Sequence, residues 1–319
     1  MEGLPFDRIG VLMGGVSRER EVSLRSGKAV LEALLANGFD AEGVDLAEED
    51  FEKSLRGRNI DFAFITLHGT GGEDGKIQTL LEKLGIPYLG TGPDSSRKAF
   101  DKIESKKIFQ ARSVPTPDYE LLQSGNWRER LRRLTFPVFV KPPCEGSSID
   151  VCLVRDPEDA KRILPPLLEK YPVLVAETKV TGPELTVSIL DEDPLPVIEI
   201  RPRREFYDYT AKYTKGMTEY IVPAPISDAE TRKVQETALC AHQALGLRDF
   251  SRVDVILSEG SPFVLEVNTI PGFTETSLFP KAARSVGMEF GDLCRELVLI
   301  AARRLRDETA QKKNAVNFS

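Results

Sequence analysis

The spacing of apolar residues changes along the chain, and each change predicts a different element. RIGVLMGG (Arg8 to Gly15) is a continuous apolar run ending in two glycines, which predicts a strand buried on both faces. Val22, Ala29, Val30, Ala33 and Leu34 then recur at helical spacing. DFAFITLHG (61–69) predicts a second strand, and KIQTLLEKLG (76–85) a helix closed by Gly85. IPYLGTG (86–92) predicts a short strand running into a turn. Strand and helix alternating in this way predict a parallel sheet with helices on its faces. Ligands of such sheets sit beyond the carboxyl ends of the strands, where Gly14-Gly15 and His68-Gly69 fall.

Near residue 95 the pattern changes. One charged helix is predicted over 95–112, followed by the proline-marked joint VPTPDY (114–119). FPVFVKP (136–142) and SSIDVCLV (147–154) predict antiparallel strands around a loop. A helix follows over 157–170, then another strand, VLVAETK (173–179). From TGPELTVSIL (181–190) onward come more strands, an irregular segment over 203–217, a helix near 228–246, and the strands SRVDVILS (251–258) and PFVLEVNT (262–269). The expected organisation is a parallel α/β unit over 1–95, a small α+β unit over 96–182, and a larger α+β unit over 183–319. The polar tail from Arg306 is expected to fray.

Composition narrows the function. A chain of 319 residues is too long for one small core. A net charge of −7 argues against a general nucleic-acid binder. Cys144, Cys152, Cys240 and Cys294 form no C-x-x-C pair, which argues against zinc and dithiol redox chemistry. The N-terminal apolar run is short and turns charged at once, unlike a signal peptide, and no run reaches membrane-spanning length. A cytoplasmic protein is expected.

The candidate chemistry starts from FVLEVNTIPG (263–272). Side chains two apart on a strand share a face, so Glu266 and Asn268 project together. Arg252 and Asp254 stand in the same relation on SRVDV. If the two strands are antiparallel neighbours, Asp254, Glu266 and Asn268 form an oxygen site suited to Mg²⁺, with Arg252 beside it. A plain cross-strand ion pair would use the same residues. In VKPPCEGSS, Lys141 ends a strand and Gly146-Ser147-Ser148 follows, a combination that can hold phosphate oxygens or can be an ordinary surface hairpin. Lys102 is a second basic candidate. TGGEDGKI (70–77) contains Gly-Lys but is no P-loop, because Thr70 and Ile77 stand where that motif needs Gly and Ser or Thr.

Eight stretches in order, SREREVS, LHGTGGEDG, DKIESK, VKPPCEGSS, TGPELTV, FYDYTAKY, SRVDV and LEVNTIPGFTETSL, resemble the ATP-grasp enzymes and, among them, the D-alanine–D-alanine ligases. The resemblance implies an ATP-grasp fold preceded by a Rossmann-like domain. It implies ATP-driven joining of two D-alanines through an acyl phosphate, for peptidoglycan precursors. ATP and Mg²⁺ or Mn²⁺, usually two ions, are the implied cofactors, and a homodimer the implied assembly. Glu19 resembles the acid that holds the first D-alanine's ammonium, with His68 near the same substrate. Ser147 matches the serine linking Glu19 to Tyr213, which lies in the segment resembling the closing lid. Lys102, Lys141 and Lys212 match lysines on the phosphates. Glu177, Lys179, Val180 and Glu184 match the hinge that meets adenine and ribose. Asp254, Glu266 and Asn268 match metal ligands, and Arg252 with the Gly272 N–H matches oxyanion stabilisers. Ser277 and Leu278 match the positions that bind the second D-alanine's carboxylate. An ester-forming D-alanine–D-lactate ligase, another ATP-grasp carboxylate-amine ligase and a non-catalytic nucleotide-binding module are the alternatives. The module would lack a metal ligand or the arginine, and all four residues are present.

Overall fold

The structure is a computed structural model that describes residues 4–48, 50–146, 148–203, 214 and 216–317. The described residues form three sheets. The first is parallel, in the order β2 (Asp40–Asp45), β1 (Arg8–Met13), β3 (Phe62–Ile65). The β1 side chains are buried after Arg8, as a central parallel strand requires. The edge strand β2, DAEGVD, was not anticipated: only Val44 of its six residues is buried, so it has no apolar signature. Tyr88 makes a single parallel bridge to Ala63 where IPYLGTG predicts a short strand. Gly85 closes the helix Lys76–Leu84 in the left-handed conformation.

The second sheet is antiparallel, in the order β4 (Tyr119–Leu122), β7 (Leu174–Thr178), β5 (Val138–Lys141), β6 (Cys152–Val154). The helix Pro157–Lys170 covers it, placing Ala160, Leu164 and Leu168 in a core with Val138, Val140 and Ala176. Asp156 caps that helix by accepting from the N–H groups of Glu158 and Asp159. The single helix expected over 95–112 is two, Pro93–Phe100 and Lys102–Ala111. Asp101 ends the first with an extended ψ and caps the second by accepting from Ile103 N–H. An aspartate competes for backbone donors in this way, and charge patterning alone does not reveal it.

The third sheet has six strands: β11 (Thr218–Ile221), β10 (Ile198–Pro202), β8 (Glu184–Leu190), β12 (Phe250–Ser258) and β13 (Ser261–Asn268) in that order, with β9 (Asp193–Pro194) on β8. The helix Asp228–Ala244 buries Val234, Ala238 and Ala241 against Val187, Val253, Val255 and Val264. A capping box of Ser227 and Glu230 starts it. The last helix, Phe290–Asn317, buries Leu293, Leu297, Val298 and Ala301 in a core shared with the first sheet. Its backbone stays helical through 306–317, where a frayed tail was expected. Arg304 pairs with Glu308 one turn ahead, and Thr309 bonds the Leu305 carbonyl.

His242 lies inside the helix Asp228–Ala244, 2% exposed, with Nδ1 2.8 Å from Ser251 Oγ. Burial pushes its pKa down from 6.5 to about 4. The unfolded chain therefore binds a proton between pH 6.5 and 4 that the folded chain refuses. This group's contribution is complete above pH 6.5 and lost as the pH falls through 4, by about 3 kcal/mol. Urea unfolding at pH 7 and pH 4 should show the parent losing more stability on acidification than His242→Gln. Equal losses would mean that the imidazole titrates normally.

Candidate active site

The strands β12 and β13 are antiparallel neighbours, with Arg252 opposite Asn268 and Asp254 opposite Glu266. The register shifts by one between Asp254 and Val255, leaving Leu265 as the extra residue of a β-bulge. The bulge breaks the in-out alternation of β13, and Leu265 and Glu266 both line one cavity. Beyond it the expected sharing of a face by Glu266 and Asn268 returns, and both line a second cavity.

Asp254 is held on every side. Arg252 Nε and Nη2 lie 2.9 Å from its Oδ1 and Oδ2, a bidentate pair. Thr186 Oγ1 on β8 donates to Oδ1 at 2.7 Å, and Asn268 Nδ2 approaches Oδ2 at 3.3 Å. Glu266 Oε2 is 3.7 Å from Lys102 Nζ, which also donates to the Glu145 carbonyl at 2.8 Å. Asp254, Glu266 and Asn268 bring two carboxylates and an amide oxygen to paired positions of β12 and β13, a donor set that suits Mg²⁺ or Mn²⁺. Among the described residues no three His, Cys, Asp or Glu gather to hold an ion unaided. Such an ion would need oxygens from a polyphosphate and water to complete its shell.

On the small sheet, Lys141 ends β5 and Glu177 lies on the adjacent β7. Lys141 Nζ is 2.7 Å from Glu177 Oε1, and Lys106 Nζ is 3.0 Å from the same oxygen. Burial pushes the Glu177 pKa up, but the two ammonium groups outweigh it and hold the carboxyl below its usual value. Lys179 N–H donates to the Pro137 carbonyl at 2.9 Å, so the edge this residue can present to a base is its own carbonyl. Glu184 opens β8 across the same cavity.

On the first sheet, Glu19 precedes the helix Arg20–Ala36, and its side chain does not cap it. Its Oε2 instead lies where a side chain on Gly69 or Gly146 would come within 2.8 Å, so both backbones pass close to the carboxylate. Ser17 Oγ, which donates to the His68 carbonyl at 2.6 Å, fixes this corner. His68 is buried, with Nε2 3.5 Å from Ser26 Oγ, and burial lowers its pKa. Gly272 follows β13, and a side chain there would come within 2.9 Å of Ser277 Oγ. Ser277 Oγ is engaged by Thr274, and Leu278 begins the next helix.

These residues line two adjoining cavities. One, of about 570 Å³, is lined by Glu19, His68, Arg252, Asn268, Gly272, Ser277 and Leu278. The other, of about 630 Å³, is lined by Lys141, Glu177, Lys179, Val180, Glu184 and Asp254, with Phe139, Ile256 and Leu265 as apolar wall. Lys102, Glu145 and Glu266 line both. Ser147, Lys212 and Tyr213 lie outside the described residues, as does most of the segment 203–217. Sequence reasoning missed Glu73 and Lys106. Glu73, within LHGTGGEDG, lines the first cavity and accepts from Gly69 N–H at 2.9 Å. Burial, with Glu19 nearby, raises its pKa to about 8. Its place in a quoted motif was the available signal. Lys106 carried none, because a lysine in a charged helix reads as solvated.

Comparison with known proteins finds relatives over most of the chain. The family model for the D-ala D-ala ligase C-terminus matches residues 108–299, and that for the D-ala D-ala ligase N-terminus matches residues 43–91. The D-alanine–D-alanine ligase of Methylacidiphilum infernorum is 45% identical over 296 residues, 92% of this chain and 95% of that protein. The D-alanine–D-alanine ligase of Desulforudis audaxviator is 45% identical over 304 residues, 93% of this chain and 99% of that protein. Among solved structures, D-alanine–D-alanine ligase from Bacillus anthracis superposes with a TM-score of 0.85 at 37% identity, covering 94% of this chain and 99% of that one. The same enzyme complexed with ATP gives a TM-score of 0.82 at 35% identity, over 94% of this chain and 99% of that one. The VanG D-Ala:D-Ser ligase of Enterococcus faecalis gives 0.80 at 29%, over 92% of this chain and 99% of that one. Matches that run through both halves of the chain at this identity, on an ATP-grasp framework, place it in the D-alanine–D-alanine ligase family.

Proposed function

We propose that this chain joins two D-alanines with ATP, and that its two cavities divide the work. The observation that carries this reading is their shared wall of Lys102, Glu145 and Glu266. A group leaving one cavity meets a group in the other at that wall. The cavity with apolar sides and lysines suits a nucleotide, with Lys102 and Lys141 on the phosphates and Glu184 on the ribose. The cavity with Glu19, Arg252 and Ser277 suits two amino acids: carboxylates face ammonium groups, and the arginine and hydroxyl face carboxylates. A divalent ion held by Asp254, Glu266 and Asn268 would supply charge neutralisation and in-line positioning of the phosphates.

The chain's own groups have distinct tasks in this reading. Glu19 orients the first D-alanine so that its carboxylate faces the shared wall. A bare carboxylate is a poor electrophile, and the phosphoryl group gives it a leaving group. Arg252 and the Gly272 N–H take up the oxyanion charge when the second amine attacks. The resemblance implies a link from Glu19 through Ser147 to Tyr213 that would close the site against water, with Lys212 on the transferred phosphate, and Ser147, Lys212 and Tyr213 lie outside the described residues. The unit boundaries 1–95, 96–182 and 183–319, a homodimer and a cytoplasmic location belong to the same proposal. Among the described residues no helix is long and apolar enough to cross a membrane.

Phosphate release with ATP, Mg²⁺ and a panel of D- and L-amino acids and D-lactate tests the reading. D-Alanine should be the best substrate and an Ala-Ala dipeptide the product. Release only with L-amino acids would refute the substrate. Preference for D-serine or D-lactate as the second substrate would move the chain to a sister activity.

A further inference from the structure

Among the described residues, Lys106 is the most deeply buried charged side chain near the two cavities. Its side chain is 1% exposed, and it lines neither of them. It reaches Glu177 from behind, out of the helix Lys102–Ala111, while Lys141 reaches the same carboxylate oxygen from the cavity side. Lys106 Nζ also donates to Thr116 Oγ1 at 2.7 Å. The Thr116 hydroxyl in turn donates to the Val264 carbonyl on β13 at 2.8 Å. Its single hydrogen is thus committed, and toward Lys106 it acts as acceptor. Lys106 is therefore fixed to both the small and the large sheet.

The two lysines have different freedom. Lys141 borders the nucleotide-sized cavity and could turn into it, whereas Lys106 is enclosed and, among the described residues, has no other carboxylate within ion-pair distance. Burial lowers the Lys106 pKa to about 8 although Glu177 opposes the shift, so its charge depends on that carboxylate. Conversely, if Lys141 turned toward a phosphate with no second cation behind Glu177, a buried carboxylate would be left unpaired. Breaking a buried pair in that way is strongly unfavourable.

We propose that Lys106 is a positioning residue for nucleotide binding: it is the fixed counter-ion of Glu177, and its presence releases Lys141 to bind the polyphosphate. The inference rests on the nucleotide reading of the second cavity. Lys106 does not touch the nucleotide and acts only through Glu177 and Lys141. Without it, Lys141 stays committed to Glu177 and the phosphates lose a cation.

The test compares the full-length parent, Lys106→Met, Glu177→Gln and the double variant Lys106→Met/Glu177→Gln. KM for ATP is measured at saturating D-alanine, and KM for D-alanine at saturating ATP. Lys106→Met should raise KM for ATP about tenfold or more and leave KM for D-alanine within about twofold, because only the phosphate side loses a cation. The double variant should match Glu177→Gln in KM for ATP, because a residue that acts only through Glu177 has no further effect once that charge is gone. It also removes both buried charges together, so it decides the matter if Lys106→Met does not fold. An ATP KM in Lys106→Met close to the parent's would overturn the proposal, as would parallel rises for both substrates. A double variant clearly weaker for ATP than Glu177→Gln would do the same. A parent chain that uses no ATP would sink the nucleotide reading itself, a result separate from any difference among the variants.

Discussion

Arg252→Met should lower kcat by about 10²–10³, the usual cost of removing one preorganised donor to a developing oxyanion. The side chain is placed for that role by its strand. It lines the first cavity, while Asp254, its partner two residues on, lines the other. The bidentate pair, both contacts at 2.9 Å, locks the guanidinium without closing it off from the first cavity. A donor needed only in the transition state reduces kcat and kcat/KM alike, so KM for both substrates should change little. Arg252→Lys should not restore the rate, because a point charge cannot hold the Asp254 carboxylate by both oxygens. Coupled ADP release at saturating substrates measures this. A methionine variant turning over within tenfold of the parent would take Arg252 out of the charge-stabilising role.

The largest expected stability effect lies elsewhere, at Arg304 in the last helix. Its guanidinium binds Asp249 through Nε and Nη2, at 2.8 and 2.9 Å, and Nη2 also donates to the Tyr88 carbonyl at 2.8 Å. Asp249 accepts from Gly90 N–H as well. One side chain thus ties the helix, the start of β12 and the segment after β3 together. Asp249 is almost fully buried, so Arg304→Met leaves a carboxylate without its counter-ion, at a cost of about 3–5 kcal/mol. Adding Asp249→Asn to Arg304→Met should recover much of the loss, because the unpaired charge is gone. Asparagine also tolerates the positive φ of 65° at this position. Urea unfolding of the three chains checks both statements. A loss below about 1 kcal/mol in the single variant would show that water reaches the carboxylate and compensates it.

Some parts of this protein are legible from the residues alone. A strand's two-residue period places Arg252 with Asp254, and Glu266 with Asn268, because the bulge at Leu265 falls outside both pairs. Helix boundaries with strong local signals are legible too: Pro157–Lys170 appears where the pattern puts it, because proline at its start and Asp156 as cap act within a few residues. Where the signal is weak or competes, the reading fails. The polar edge strand β2 is held by pairing with β1, not by its own composition, and Asp101 splits a helix whose charge pattern runs straight through.

Only the tertiary structure decided that β12 and β13 are neighbours in a register placing Asp254 opposite Glu266, and that a bulge at Leu265 brings Glu266 to the wall between two cavities. It also decided the environments of Glu73 and Lys106. The pKa values of both depend on how much water the surrounding segments exclude, and those segments lie far away in the chain. Local order and face are set by backbone geometry, which acts between near neighbours. Burial, counter-ions and the meeting of two cavities are set by which distant surfaces pack together, and no short stretch of residues carries that information.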